Sequence, residues 1–458
     1  MVKIMELKKY KDNNYKRKSY VILVIGFLLL SISSYLFYKS YALYEEKKDF
    51  DVINGTVEDP GDIYFAYYVD GVISRNMPVQ NTGYTLDGTK SNCNNGVVPT
   101  WDNAGWKFIG DYHNYSATTN TRTKCTLYFN KTAKTVKTAL GNIEVNSYTP
   151  DFTKSACDDS TCESHEKGIY ETTDTDGKPT YYYRGSVENN YVKFAGFYWR
   201  IIRINSNGSI RMIYDGTVAH KNGDLSDDRM YDSQVQFQLE KNKAMYLGYM
   251  YTSGDVHGTG TSSNIKIAND TFYKNKLSSY AAKLDINTGF CGDRLTLSSN
   301  YGTGTGTVTT YNKGYLRVQD STPTLACGNT KDYYTINNSA IGNKALVYPI
   351  GLLSADEAMY AGHAGGSFNG TYNHQKKNIS SYLTTGTSFW LIIPSGMYYS
   401  FGWDGFGTNV FGITSSGMVE DHGVVNPSGG CGLKPVINIR SDVKITGTGT
   451  MTDPYVIK

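Results

Sequence analysis

Apolar positions fall into three textures along the chain. From Tyr20 to Tyr38, YVILVIGFLLLSISSYLFY, they run on without a charge, just enough for a helix to cross a hydrocarbon core of roughly 30 Å. Between residues 59 and 133 they alternate in short runs. Ile63 to Val69, the turn Asp70-Gly71 and Val72-Ile73-Ser74 predict a hairpin, and Cys125 to Phe129 repeats the alternation. From Tyr181 the runs lengthen. Tyr191 to Ile204 predicts a strand that is apolar on both faces and so covered on both. Asn205-Ser206-Asn207-Gly208 is a turn, and Ser209 to Tyr214 returns as the second strand. This hairpin is the expected centre of the main domain.

Helical spacing predicts helices over 236–250 (Leu239, Ala244, Met245, Leu247) and 269–284 (Phe272, Leu277, Tyr280, Leu284). Ser354 opens a short helix, with Glu357 three residues on completing a capping box. The chain then closes in short strands at Phe389–Pro394, Val410–Ile413, Gly417–Val419 and Lys434–Ile439.

These textures give a mainly β protein in six parts. Residues 1–19 are a basic tail, 20–38 a transmembrane helix and 39–58 a charged stalk. Residues 59–133 form a small β-sandwich-like module, 134–175 a Thr/Ser/Asp/Lys-rich linker, and 176–458 an α+β domain. Forty tyrosines, 47 glycines and only 11 prolines suit β strands and turns.

Charge sets the orientation. The first nineteen residues carry seven cations against Glu6 and Asp12, and cations stay on the cytoplasmic side. The expected place is therefore the cell membrane, single-pass, with the N-terminus inside and the bulk of the chain extracellular. A cleaved signal peptide ending at Ser40-Tyr41-Ala42 is the alternative; either way the bulk is exported. The net charge is +3, so the exported remainder is slightly acidic. No basic patch is left for nucleic acid, and no nucleic-acid partner is expected.

All seven cysteines lie beyond the apolar run, where disulfides are the default. Cys93 is expected to pair with Cys125, stapling two strands, and Cys291 with Cys327, closing a loop over the Gly302–Thr307 run. Cys327 with Cys431 is the competing pairing. Cys157 and Cys162 would close a small loop in the linker. No cysteine or histidine spacing resembles a zinc site, and no metal or cofactor is expected.

Catalytic signals are thin. Gly-x-Ser-x-Gly is absent. Asp356 and Glu357 read as first-turn carboxylates favoured by the helix dipole. His257 and His363 sit in Gly-rich loops and read as solvated. Asp421-His422 is an adjacent acid–imidazole pair, and adjacent side chains often diverge. Arg200 and Arg203 suit an anion or, more simply, a nearby carboxylate. No enzymatic activity is expected.

Several blocks resemble uncharacterised exported proteins of Gram-positive gut bacteria. They are Tyr181 to Gly185, Asn190 to Gly216, Cys291 to Arg294, Pro349 to Glu357, Phe389-Trp390 with Pro394, Gly432 to Asn438 and Asp453 to Ile457. The resemblance spans roughly 180–458 and carries no activity with it. The order of elements is similar to C-type-lectin-like folds, which include the formylglycine-generating enzymes. The Glu-Pro-Asn or Gln-Pro-Asp triplet that holds calcium and sugar in C-type lectins is absent, and so is the closely spaced catalytic cysteine pair of those enzymes. Neither function transfers.

The expected function is a membrane-anchored extracellular binding or adhesion protein. Its partners are the lipid bilayer, through residues 20–38, and an extracellular glycan or protein. A structural envelope role and an extracellular enzyme are the alternatives. The candidate contact site is Tyr398, Tyr399, Phe401, Trp403 and Phe406 with the polar Asp404 and Asn409, within twelve residues. Rings supply rigid contact area, and the polar pair suits a hydroxylated ligand. The same rings would equally fill a core under a long loop.

Overall fold

The computed structural model describes residues 64–80, 82–94, 96, 100–102, 105–108, 124–156, 167–239, 247–252, 255–297, 309–337, 341–365, 380–400, 405–423 and 431–458. At 64, 108, 398–400 and 405–406 it describes the backbone alone. The apolar run 20–38, the stalk, and Cys157 with Cys162 lie outside these residues. Among the described residues no helix is long and apolar enough to cross a membrane. The chain divides into two units, one ending at Asn130 and one starting at Lys131.

In the first unit β1 (Tyr64–Val69) and β2 (Val72–Ser74) form the expected hairpin. Asp70 and Gly71 both take positive φ, 51° and 83°, as a two-residue turn of this hand requires. The strands β3 (Tyr84–Leu86), β4 (Asn92–Cys93), β5 (Trp101–Asp102), β6 (Lys107–Phe108) and β7 (Lys124–Lys131) complete the unit. β1 and β7 pair in parallel, Tyr64 opposite Lys124 through Val69 opposite Phe129. β7 alternates strictly, burying Cys125, Leu127 and Phe129. Cys93 faces Cys125 across β4 and β7, and the two form a disulfide. Trp101 and Trp106 are half-buried on Phe129, their rings 5.3 Å apart and edge to face. They belong to the core.

The second unit is built on a curled, mainly antiparallel sheet. Its strands are β8 (Lys134–Thr135), β9 (Gly168–Thr173), β10 (Pro179–Arg184), β11 (Tyr191–Phe194), β12 (Phe197–Ile204) and β13 (Ile210–Tyr214), followed by later strands named below. The helix α1 (Val136–Leu140) follows β8. The two-stranded ladders β14 (Met250–Tyr251) with β15 (Thr261–Ser262), and β16 (Phe290–Cys291) with β18 (Tyr333–Tyr334), lie on either side of α2 (Asn264–Phe272) in the sequence. β17 (Thr310–Tyr311) and α3 (Lys313–Asp320) lie between β16 and β18. β19 (Ile350–Gly351) leads to α4 (Ala355–Tyr360). A long hairpin, β20 (Phe389–Ser400) and β21 (Gly405–Ile413), pairs with β17 on one side and β22 (Val419–Gly423) on the other. β23 (Val436–Ile439), β24 (Lys444–Thr446) and β25 (Tyr455–Ile457) return to the main sheet, whose order is β19-β23-β13-β12-β11-β25-β24-β8.

Three stretches differ from the pattern-based expectation. Tyr191 to Ile204 is a hairpin rather than one strand. Ala195 and Gly196 both take positive φ, 54° and 84°, and turn β11 back on β12. The apolar residues around them hide this break from periodicity alone. Residues 134–175, read as a linker, supply β8, α1 and β9; the polar alternation of β9, Gly168–Thr173, is that of a sheet edge with Ile169 and Tyr170 buried. Residues 236–239 and 247–250 are not helical, and Leu239 is exposed. The second helix begins earlier than expected, at Asn264, capped by Ser263, and runs on as tighter and wider turns to Lys283.

Cys291 and Cys327 form the second disulfide. Cys431 is a buried free thiol, and burial pushes it up to about 12.

The core also holds charge. Asp215, Arg200, Arg229 and Lys434 are fully buried together. Arg229 Nε donates to Asp215 Oδ1 at 2.8 Å, Lys434 Nζ stands 3.5 Å from the same oxygen, and Arg200 Nη1 lies 3.8 Å from Oδ2. One carboxylate thus faces three cations. Burial drives the Lys434 ammonium down to about 7, against the pull of Asp215.

Two outcomes follow. Replacing Cys93 and Cys125 by serine should lower the stability of the first unit by about 3 kcal/mol in the chain-entropy model, read as a shift of its own melting transition. The unfolded chain binds a proton at Lys434 up to about pH 10.4, and the folded chain only below about 7. Stability should therefore rise with pH across that window and lie flat below it. Lys434→Met should remove this rise from denaturant-unfolding curves; an unchanged slope would show that Lys434 is charged in the folded chain.

Candidate functional site

One group of ion pairs of the second unit gathers at α4. All six of its residues are buried, so its first-turn amides need partners from the protein itself. Ser354 Oγ accepts from Glu357 N at 3.0 Å, and Glu357 Oε2 accepts from Ser354 N at 2.9 Å, the capping box read from sequence.

Glu357 has a second role that the sequence does not announce. A bulge at Ile202 separates the pairs Ile201–Met212 and Arg203–Arg211. Without the extra residue Ile202 would oppose Arg211. With it, two arginines face each other across β12 and β13. Like charges directly opposite destabilise a sheet, and Glu357 resolves this: its Oε1 lies 2.7 Å from Arg211 Nη1 and 3.2 Å from Arg203 Nε. Burial raises the carboxyl, but the two guanidiniums outweigh it and hold it below the usual range. Asp356 is bound by Arg317 through Nε and Nη2 at 2.8 and 2.9 Å. The other Arg317 nitrogen lies 2.6 Å from Asp293. Neither first-turn carboxylate is poised as a base.

Beside this cluster three turns meet at one end of the sheet: Asp174–Lys178 between β9 and β10, Asn205–Gly208 between β12 and β13, and residues 285–288. They enclose a cleft of about 210 Å³. Bonds within and between the turns fix them. Asp174 Oδ1 accepts from the amides of Asp176 and Lys178, and Asn207 Nδ2 donates to Asp285 at 2.8 Å. Tyr333 closes one wall, its hydroxyl accepting from Gly289 N. Arg203 and Tyr333 also line a narrower recess that leads to Arg211, Arg317 and Glu357.

The contact site expected from the aromatic run lies on the β20–β21 hairpin. Tyr398 stands opposite Gly407 and Tyr399 opposite Phe406 in the backbone register. The stretch read as one loop is thus two strands joined by residues 401–404. Phe401, Trp403 and Asp404 lie outside the described residues. Asn409 is half-buried at the base of the tip and donates to Asp421 Oδ2 at 3.0 Å. Asp421 therefore belongs with Asn409, while His422 packs edge-on against Trp390. The adjacent pair diverges.

Both loop histidines, expected to be solvated, are engaged by the protein, His363 fully buried and His257 half-buried. His363 lies 2.8 Å from Gly417 O through Nδ1 and 2.8 Å from Ser381 Oγ through Nε2. Burial lowers it to about 4, so it is neutral; with Nδ1–H on the carbonyl, Nε2 accepts the Ser381 hydroxyl proton. His257 Nδ1 lies 2.9 Å from Asp332, which also receives Arg294. Sequence distance hid both sets: Asp332 is 75 positions from His257. Among the described residues no group of His, Cys, Asp and Glu comes together as a metal site.

No family model, no curated protein and no solved structure matches the chain.

Glu357→Gln removes the charge between two buried arginines and should cost about 3–5 kcal/mol, measured by denaturant unfolding. A loss below about 1 kcal/mol would show that Arg203 and Arg211 find their counter-charge elsewhere. His363 gives an acid limb. The unfolded chain protonates it below about 6.5 and the folded chain only near 4, so stability should fall as pH drops through that interval. His363→Gln should flatten this limb in pH-dependent melts.

Proposed function

We propose that this chain is a membrane-anchored extracellular binding protein, held in the bilayer by residues 20–38 with its N-terminus inside, and that it takes a glycan or protein ligand at the tip of the β20–β21 hairpin. The observation that carries the reading is the shape of that hairpin. β17 pairs with β20 only as far as Met397, and β22 with β21 only as far as Asn409. Beyond these positions, among the described residues, the two strands pair only with each other. An aromatic-rich tip on a two-stranded arm is a common form of contact surface, because rings give large rigid area at low entropy cost. The main domain is proposed as a divergent C-type-lectin-like scaffold. Its support is a single curled sheet in which β8, near the start of the unit, pairs with β24, near its end.

The pinning of Glu357, Asp356 and His363 by structural partners supports binding over catalysis. Two experiments test the reading. Protease added to intact spheroplasts should remove the ectodomain and leave a small membrane-embedded stub; a soluble product starting near Leu43 would favour the cleaved signal peptide. Trp403→Ala should leave thermal unfolding nearly unchanged and weaken glycan-array binding by more than about 2 kcal/mol. A stability loss of roughly 3–5 kcal/mol would instead make Trp403 a core residue and retire the tip.

A further inference from the structure

We propose that the cleft between the turns Asp174–Lys178 and Asn205–Gly208 binds a small ligand carrying one carboxylate and several hydroxyls, such as a uronic acid, and that the guanidinium of Arg203 receives the carboxylate. This site is separate from the hairpin tip and does not depend on it.

Arg203 differs from several other arginines of the unit. Arg211, Arg229 and Arg317 each direct all three guanidinium nitrogens at protein acceptors. Arg203 is only 6% exposed, yet its one protein partner is Glu357, reached through Nε. That Nε is buried without a hydrogen bond, and the Nη groups, which have no partner among the described residues, face the cleft that Arg203 lines. The Nη pair therefore opens to the cleft, where water or a ligand can accept from it, while the rest of the side chain is held in place by burial. The planar fork matches a carboxylate in two parallel bonds.

Charge limits the ligand to a single negative group. Arg203 and Arg211 exceed Glu357 by one positive unit, which Asp174, acting on Arg203, offsets; the fork's paired donors rather than a net charge favour a carboxylate. At the rim Asp176 sits 3.4 Å from Lys178 and Asp174 adds a further negative charge. A doubly charged phosphate would meet repulsion there.

The remaining surface suits hydroxyls. Asn205 is 6% exposed and its Oδ1 is a buried acceptor without a partner. Ser206, next to it, is exposed and its hydroxyl makes no bond among the described residues. A cleft of about 210 Å³ has the volume of about seven liquid waters. It fits one sugar-acid unit.

The full-length protein in detergent micelles should be titrated calorimetrically with glucuronate, glucose and inorganic phosphate. Glucuronate should bind saturably, with glucose and phosphate at least about tenfold weaker. Arg203→Lys keeps a cation beside Glu357 but loses the fork; it should melt like the parent and weaken glucuronate at least about tenfold. Ser206→Ala, at an exposed position, should weaken it about two- to fivefold; if Arg203→Lys does not fold, this variant decides. Trp403→Ala should leave the glucuronate affinity unchanged, which separates this site from the hairpin tip. Absence of saturable glucuronate heat overturns the proposal. So does glucose or phosphate binding as tightly, or parental affinity in the decisive variant.

Discussion

One carboxylate, that of Glu357, holds the second unit together. It closes the N-terminus of a helix buried on every side, and it neutralises two arginines that a bulge has set face to face. These demands reinforce one another. A buried helix start needs an internal anion, and a facing arginine pair needs the same anion in the same place. Moving the bulge by one residue would leave the carboxylate with one partner and bring an isoleucine to the arginine's position. Beside it the same arrangement satisfies Arg211 fully and Arg203 only in part, at the wall of the cleft that the three turns enclose.

The other buried arginines do a different job. Arg229 bonds the carbonyls of Asp224, Tyr382 and Thr384. Arg294 bonds those of Met250 and Gly258, and Arg184 that of Met359. A chain with long irregular connections buries many carbonyl oxygens that no ladder can satisfy. Guanidinium groups, with five donors in a fixed plane, serve several such oxygens from one position. Carboxylates then balance the charge. This is how a loop-rich sequence forms a well-packed unit with short strands.

Local chemistry was legible in the sequence, and long-range chemistry was not. The Asp70-Gly71 hairpin, the Ser354 cap and the two disulfides all rest on neighbouring residues or on sulfur that has few alternatives. The turn at Ala195-Gly196 was hidden because alanine rarely takes positive φ and its neighbours read as one continuous strand. β9 was hidden because an edge strand with a polar face resembles a linker. The cleft was least visible of all. Its walls come from residues near 175, 205, 287 and 333, and nothing at any one of them marks a site. Arg203 stands out only once its neighbours are seen to be fully bonded.

Cys431 bears on how the chain reaches this state. In the folded protein its thiol, pushed up to about 12, is ionised in roughly one molecule in 10⁵ at neutral pH, and so takes almost no part in exchange. In the unfolded chain it is as reactive as any of the other six cysteines. The pairing of Cys291 with Cys327 is therefore protected by timing. The strands that enclose Cys431 must close before oxidation is complete, or the third sulfur competes for either partner. Conditions that oxidise the chain faster than it folds would trap mispaired molecules, and this one side chain makes maturation a race between packing and chemistry.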